Sequence, residues 1–201
     1  MSDRVKVWCL RHAESENVIA GVAGAVPAAA LTTRGQREAM AAARVLDGEP
    51  IRRIYCSTAV RAQQTAAALA ASRGLDIVTS AELAEVAIGR HEGTTDPAVR
   101  RRTAEVLRAW IIERDLGQRV ADGESGRQVL TRMDATFRRI AAADSGETVV
   151  VVGHVASLTL TVASLCTLGP RVWGTPLPHA EPFLVEWDGI TWHCPRWPTL
   201  S

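Results

Sequence analysis

Two short apolar runs constrain the fold of this 201-residue chain more than anything else in it: residues 5–11 (VKVWCLR) and 148–153 (TVVVVG). Apolar, β-branched-rich stretches of this length, bounded by polar residues, read as strands buried on both faces, the kind found in parallel sheets. Each run delivers a histidine at its carboxyl end, His12 after the first and His154 after the second. In open α/β sheets, ligands bind where strands end and helices begin. Two imidazoles at that edge, with Arg11 beside the first, point to chemistry on an anion.

The rest of the chain alternates in the same way. Further strand-like runs occupy 51–56, 75–79 and 181–187, with a last short one at 190–194. Helical periodicity lies between them. Ala39, Ala42, Ala43 and Leu46 share one face, as do Ala62, Ala66, Leu69 and Ala70. Val106, Leu107, Trp110 and Ile111 form a third stripe, and Val129, Met133, Phe137 and Ile140 mark a longer amphipathic helix. Residues 156–167 are apolar all round, which predicts a buried helix. Alternating strands and helices imply an α/β fold, a three-layer α/β/α sandwich with a mostly parallel central sheet. The two most continuously apolar strands belong at its centre, side by side. At this length one domain over residues 1–201 is expected, burying roughly 70% of the unfolded chain's surface. Residues 18–30, which carry no charge, read as a loop, as do 88–97 and 169–182, rich in Gly and Pro.

Composition narrows the function classes. Lys plus Arg number 23 and Asp plus Glu 22, so no net field draws the chain toward nucleic acid. The apolar stretches fall short of the ~20 residues of a membrane span, and MSDRVKV is not a secretory signal. Cys9, Cys56, Cys166 and Cys194 are scattered without a Cys-x-x-Cys pair, which fits a reduced, cytoplasmic setting. His91-Glu92-Gly93 does not continue as a metal-binding His-Glu-x-x-His, and neither a dinucleotide fingerprint nor a P-loop is complete. No metal and no cofactor are therefore expected. Six tryptophans include candidate interface anchors, which would suit a homodimer.

Four segments carry candidate chemistry, each with a plain structural alternative. Arg11-His12 ends a strand and leads into the polar AESEN, although the same dipeptide recurs at Arg90-His91. In CSTAVRAQQTA (56–66), Ser57 can cap the helix that follows. Arg61 lies one turn into that helix and can share an anion with Arg11, since a guanidinium fork matches phosphate oxygens; the alternative is a solvated helix arginine. Glu85 sits among Leu83, Ala84, Val86, Ala87 and Ile88, surroundings that would suit it to donate a proton near neutral pH. Its alternative is a capping or surface glutamate. His154 leads into a helix beginning near Ala156, where the helix N-terminus attracts anions and disfavours an imidazolium; a structural histidine fits equally well. Arg100-Arg101-Arg102 reads as a solvated helix face, with steering of anionic substrates as the second reading.

The order of these segments is more specific than any one of them. LRHAES, LTTRGQREA (31–39), CSTAVRAQQTA (56–66), LAEVAIGRHEG (83–93), DGES (122–125) and VVVVGH (149–154) together resemble the histidine phosphatase superfamily, also called phosphoglycerate-mutase-like, across nearly the whole chain. The resemblance implies a phosphoglycerate-mutase-like sandwich with His12 as nucleophile and Arg11, Arg61 and His154 as holders of the phosphoryl oxygens. It further implies Glu85 as proton donor, Asn17 and Ser15 as additional substrate contacts, no metal, and a small phosphorylated metabolite as substrate. Four positions depart from the family's usual pattern: Ala13 and Val155 follow the two histidines where Gly or a similarly permissive residue is common, Asn17 comes one position early, and no acidic residue precedes the LT motif. No lysine lies between Glu85 and His154, where mutases carry extra cationic sequence, so the phosphatase branch is expected. A cofactor-dependent phosphoglycerate-type mutase and a catalytically silent phosphate-binding module stand as alternatives. The uncharged residues 18–30 are expected to shape a partly apolar leaving-group pocket.

Overall fold

In the computed structural model, which describes residues 4–71 and 73–198, the strands β1 (Val5–Arg11), β2 (Ile51–Ser57), β3 (Asp76–Ser80), β4 (Thr148–Gly153), β5 (Phe183–Trp187) and β6 (Trp192–His193) form one sheet. Its order is β3-β2-β4-β1-β5-β6. The pairs β3/β2, β2/β4 and β4/β1 are parallel, while β5 and β6 join antiparallel. The two apolar runs are neighbours at the centre, as expected. Every residue of β4 is buried, and the register brings Arg11 opposite Gly153. His12 and His154 therefore leave the sheet at the same level. The edge strand β3 differs in character, with four of its five residues exposed. The run at 190–194 is reduced to a two-residue strand.

The helices are α1 (Glu16–Ile19), α2 (Thr33–Val45), α3 (Val60–Ala70), α4 (Pro97–Arg108), α5 (Gly126–Ala143) and α6 (Val155–Leu165). They cover both faces of the sheet and divide the core in two. Alternate residues of β1 and β4 (Val7, Cys9, Val149, Val151) pack with Met133, Phe137 and Leu158 on one side. Leu10, Val150 and Val152 pack with Ala39, Ala42, Ala62, Ala66 and Leu69 on the other. This is the period-two alternation of a doubly covered sheet meeting the period-3.6 stripes of its helices. Helix α6 starts at Val155, one residue earlier than its apolar pattern suggested, and is buried from Ala156 through Ala163 before its end emerges. Three tryptophans (Trp110, Trp192 and Trp197) serve the core rather than a surface. No helix among the described residues is long and apolar enough to cross a membrane.

Two local features hold the carboxyl edge of β1 in place. Helix α2 is capped by Thr32, whose hydroxyl accepts from the Gly35 amide and donates to the Glu14 carboxylate. Gly35 packs so closely on the chain after His12 that an added Cβ would lie 1.9 Å from the Glu14 carbonyl oxygen. Only glycine admits that approach. In α3, Thr65 accepts a hydrogen bond from the Ala13 amide at 3.1 Å and donates to the Arg61 carbonyl. The helix that carries Arg61 is thereby fastened to the residue after His12.

Candidate active site

His12 and His154 are 3% and 1% exposed, with ring centroids 5.1 Å apart in an edge-on arrangement. Arg61, 1% exposed, lies between them. Its Nε–H donates to His12 Nε2 at 3.0 Å and its Nη2 to His154 Nδ1 at 3.2 Å. A guanidinium can only donate, so these contacts assign both tautomers. His12 carries its proton on Nδ1 and donates it to the Ala13 carbonyl at 2.8 Å. Its Nε2 lone pair thus faces the site. His154 carries its proton on Nε2 and donates it to Ser57 Oγ at 2.7 Å.

Both imidazoles are held well below the usual histidine pKa, by burial first. His154, Arg61 and Arg11 add to this at His12, and Arg61 and Arg11 at His154. Both are neutral at pH 7.

The outer edge of the Arg61 guanidinium is fixed by the uncharged loop. Nη1 donates to the Val26 carbonyl and Nη2 to the Ala25 carbonyl, each at 2.7 Å. The inner edge, Nε and one Nη2 proton, is left directed at the histidines. The loop is in turn tied down by Glu92, whose two carboxylate oxygens accept from the Ala25 and Ile88 amides. Arg11 donates through Nη1 to the Leu177 carbonyl, while its buried Nε has no partner. A desolvated guanidinium N–H without an acceptor calls for an anion.

Glu85 is half-buried, and its environment differs from the expected apolar pocket. Leu83, Val86 and Ile88 turn into the core, whereas the carboxylate turns to the N-terminus of α6. There it accepts from the Ala156 and Ser157 amides at 3.1 and 2.9 Å, and from the Val86 amide at 2.9 Å. Helix N-termini leave such amides open, and Glu85 fills the capping place that His154 leaves vacant. Its backbone is held by Arg132 of α5, which donates to the Glu82 and Ala84 carbonyls and pairs with Glu124. The DGES segment supplies that Glu124 and the capping-box serine of α5, Ser125.

Arg11, His12, Asn17, Arg61 and Glu85 line one open cavity of about 580 Å³. His154 stands behind it and reaches it through Arg61 and His12. Ser15 does not line it. Ser15 is fully buried and donates to Asn17 Oδ1 at 2.8 Å, which fixes the side chain of a residue that does line the cavity. Ser57, expected as a helix cap, is not the N-cap residue: α3 is preceded by Ala59, and the Ser57 hydroxyl accepts from the Ala59 amide and from His154. Arg100, Arg101 and Arg102 are exposed, as the solvated-face reading has it, and Arg100 also lines the cavity and donates to the Gly21 carbonyl.

His179 was not foreseen. Its Nδ1–H donates to the His12 carbonyl at 3.0 Å, and its ring lies 5.7 Å from that of His12. Thr65 and Arg132 were equally unforeseen, because each acts on a segment remote in sequence.

Two neutral imidazoles and two guanidinium groups stand together at the carboxyl edge of the parallel strands β1 and β4, an arrangement whose chemistry suits an anion such as a phosphoryl group. The chain belongs to the histidine phosphatase superfamily (branch 1), whose family model matches residues 7–199. Among curated proteins it is 28% identical over 165 residues to the adenosylcobalamin/alpha-ribazole phosphatase of Salmonella typhimurium, covering 82% of this chain and 81% of that one. It is 28% identical over 162 residues to phosphoserine phosphatase 1 of Hydrogenobacter thermophilus, covering 80% and 76%. Among solved structures, Bacillus stearothermophilus YhfR superposes with a TM-score of 0.83 at 25% identity, covering 98% of both chains.

Proposed function

We propose that this chain hydrolyses small-molecule phosphomonoesters through a phosphohistidine on His12. The observation that carries the reading is the state of His12: a buried, neutral imidazole whose proton is pinned on Nδ1 by a backbone carbonyl, with its Nε2 lone pair facing Arg61. A neutral imidazole oriented by its second nitrogen is the form that attacks phosphorus.

In the first half-reaction Nε2 forms a bond to phosphorus as the bond to the leaving oxygen breaks, and Glu85, having taken up the proton that a bound phosphate monoanion surrenders, gives it to that oxygen. In the second, water attacks the phosphohistidine and passes a proton to the Glu85 carboxylate, releasing phosphate and restoring His12. The Arg61 Nε–H that rests on the His12 lone pair moves to a phosphoryl oxygen, joined by the unpartnered Nε–H of Arg11 and the amide of Asn17. Phosphoryl transfer is mostly positioning and charge stabilisation, and one well-placed arginine contributes ~10³–10⁵ in rate in related chemistry. His154 holds the other flank of Arg61, and Ser15 acts one step back by orienting Asn17.

The test is p-nitrophenyl phosphate turnover together with acid quenching to capture acid-labile phosphate on the protein. His12→Ala is expected to abolish both. Wild-type turnover in His12→Ala would refute the assignment.

A further inference from the structure

Beyond the phosphate site, the same cavity continues over a wall made by Val18 of α1, Val22 of the uncharged loop that follows it, Leu107 of α4, and Val172, Trp173 and Pro176 of the segment before β5. These are the side chains a leaving group would touch. Of the three threonines lining the cavity, two are committed to their own helices, Thr103 Oγ1 donating to the Val99 carbonyl and Thr159 Oγ1 to the Val155 carbonyl, and Thr175 lies exposed on the loop before β5. Arg100, an exposed cation that also lines the cavity, spends Nη1 on the Gly21 and Thr95 carbonyls. A sugar or a short charged acid placed here would give up water for few donors and acceptors, and buried polar groups left unpaired weigh against binding. An alkyl or aryl group would instead cover the wall. Trp173, at 36% exposure, follows the 3₁₀ turn at Gly169–Val172 and precedes Gly174, where φ is +131°, so the loop turns sharply just beyond its ring.

Resting on the phosphatase reading above, we infer that the substrates are phosphate monoesters of apolar alcohols or phenols, selected by the Val18–Val22–Leu107–Trp173 wall. Sugar phosphates and phosphorylated small acids are discriminated against. The specificity lies in the leaving group, because the phosphoryl end of the cavity is common to every ester that enters.

The experiment is a series of n-alkyl phosphates, from ethyl to octyl, assayed for phosphate release beside glycerol phosphate and glucose 6-phosphate, with acid-quench capture of the phosphoenzyme for each. The expected kcat/KM rises roughly fourfold per methylene until the wall is covered, with the two polyol esters below butyl phosphate. In Leu107→Asn and Val22→Asn the rise per methylene is smaller. A flat or falling series with phosphoenzyme still formed overturns the inference and leaves the phosphatase reading standing. Absence of both hydrolysis and phosphoenzyme across the whole panel overturns the phosphatase reading and the inference with it.

Discussion

Lowering the pH from 7 to 5.5 is expected to destabilise this fold through its two active-site histidines. Both are almost fully buried, and burial, reinforced by neighbouring guanidinium charge, holds each well below the ordinary histidine value of about 6.5. In the unfolded chain both return to that ordinary value. As the pH falls through about 6.5, the unfolded state therefore takes up protons that the folded state refuses. Stability is highest above that point and declines below it, with the slope set by the difference in bound protons. Each fully neutral histidine contributes about 1.4 kcal/mol per pH unit well below 6.5, and the pair about 3 kcal/mol per unit. Against a typical total stability of about 5–15 kcal/mol, that is a large share. His179, also lowered chiefly by burial but only half-buried, adds a smaller amount in the same direction. Urea unfolding at half-unit pH intervals measures the slope directly. Most carboxylates remain ionised between pH 6.5 and 5.5, so that window isolates the imidazoles. A flat stability curve there would refute the reasoning, as would an unchanged slope in the double variant His12→Gln/His154→Asn.

Further outcomes follow from the supporting contacts. Ser57→Ala strips the buried Nε2–H of His154 of its acceptor and is expected to cost about 1–3 kcal/mol, read as a lower urea midpoint with a reduced kcat; an unchanged midpoint would show that the bond is dispensable. Glu92→Ala frees the Ala25 and Ile88 amides and loosens the carbonyls that aim Arg61, so inhibition by inorganic phosphate should weaken several-fold. An unaltered inhibition constant would remove Glu92 from that chain of positioning. Gly35→Ala drives a Cβ into the Glu14 carbonyl, and overpacking of this kind costs about 1–3 kcal/mol, visible as a lower melting temperature. The acid limb of kcat/KM assigned to His12 should fall below pH 6.5, because burial and nearby cations oppose its protonation; a limb above that value would contradict the buried, neutral nucleophile.

What the sequence discloses and what it withholds separate along physical lines. Burial is written locally. The stripe Ala62, Ala66, Leu69 and Ala70 announces α3, and the unbroken run at 148–153 announces a central strand, because each residue's own side chain reports whether it meets water. The ends of those strands follow, and with them the meeting of His12 and His154. Direction and partnership are not local. Nothing in residues 183–187 marks β5 as antiparallel to β1, since that depends on the path of the loop before it. Glu85 shows the difference at a single residue. Its apolar neighbours suggest a desolvated carboxyl, yet those neighbours are apolar because they face the core, and the backbone that sends them inward turns the carboxylate to the amides of α6, 71 positions away. Ser57 follows the same rule: its type and place suit a helix cap, and its hydroxyl, besides accepting from the nearby Ala59 amide, is taken by a histidine 97 positions away. A catalytic constellation is thus legible where its members end buried strands. The residues that orient it (Thr65, Arg132, His179 and the carbonyls of Ala25 and Val26) emerge only when remote segments are brought together, because a backbone carbonyl carries no signature of residue type and a lone polar side chain does not name its partner.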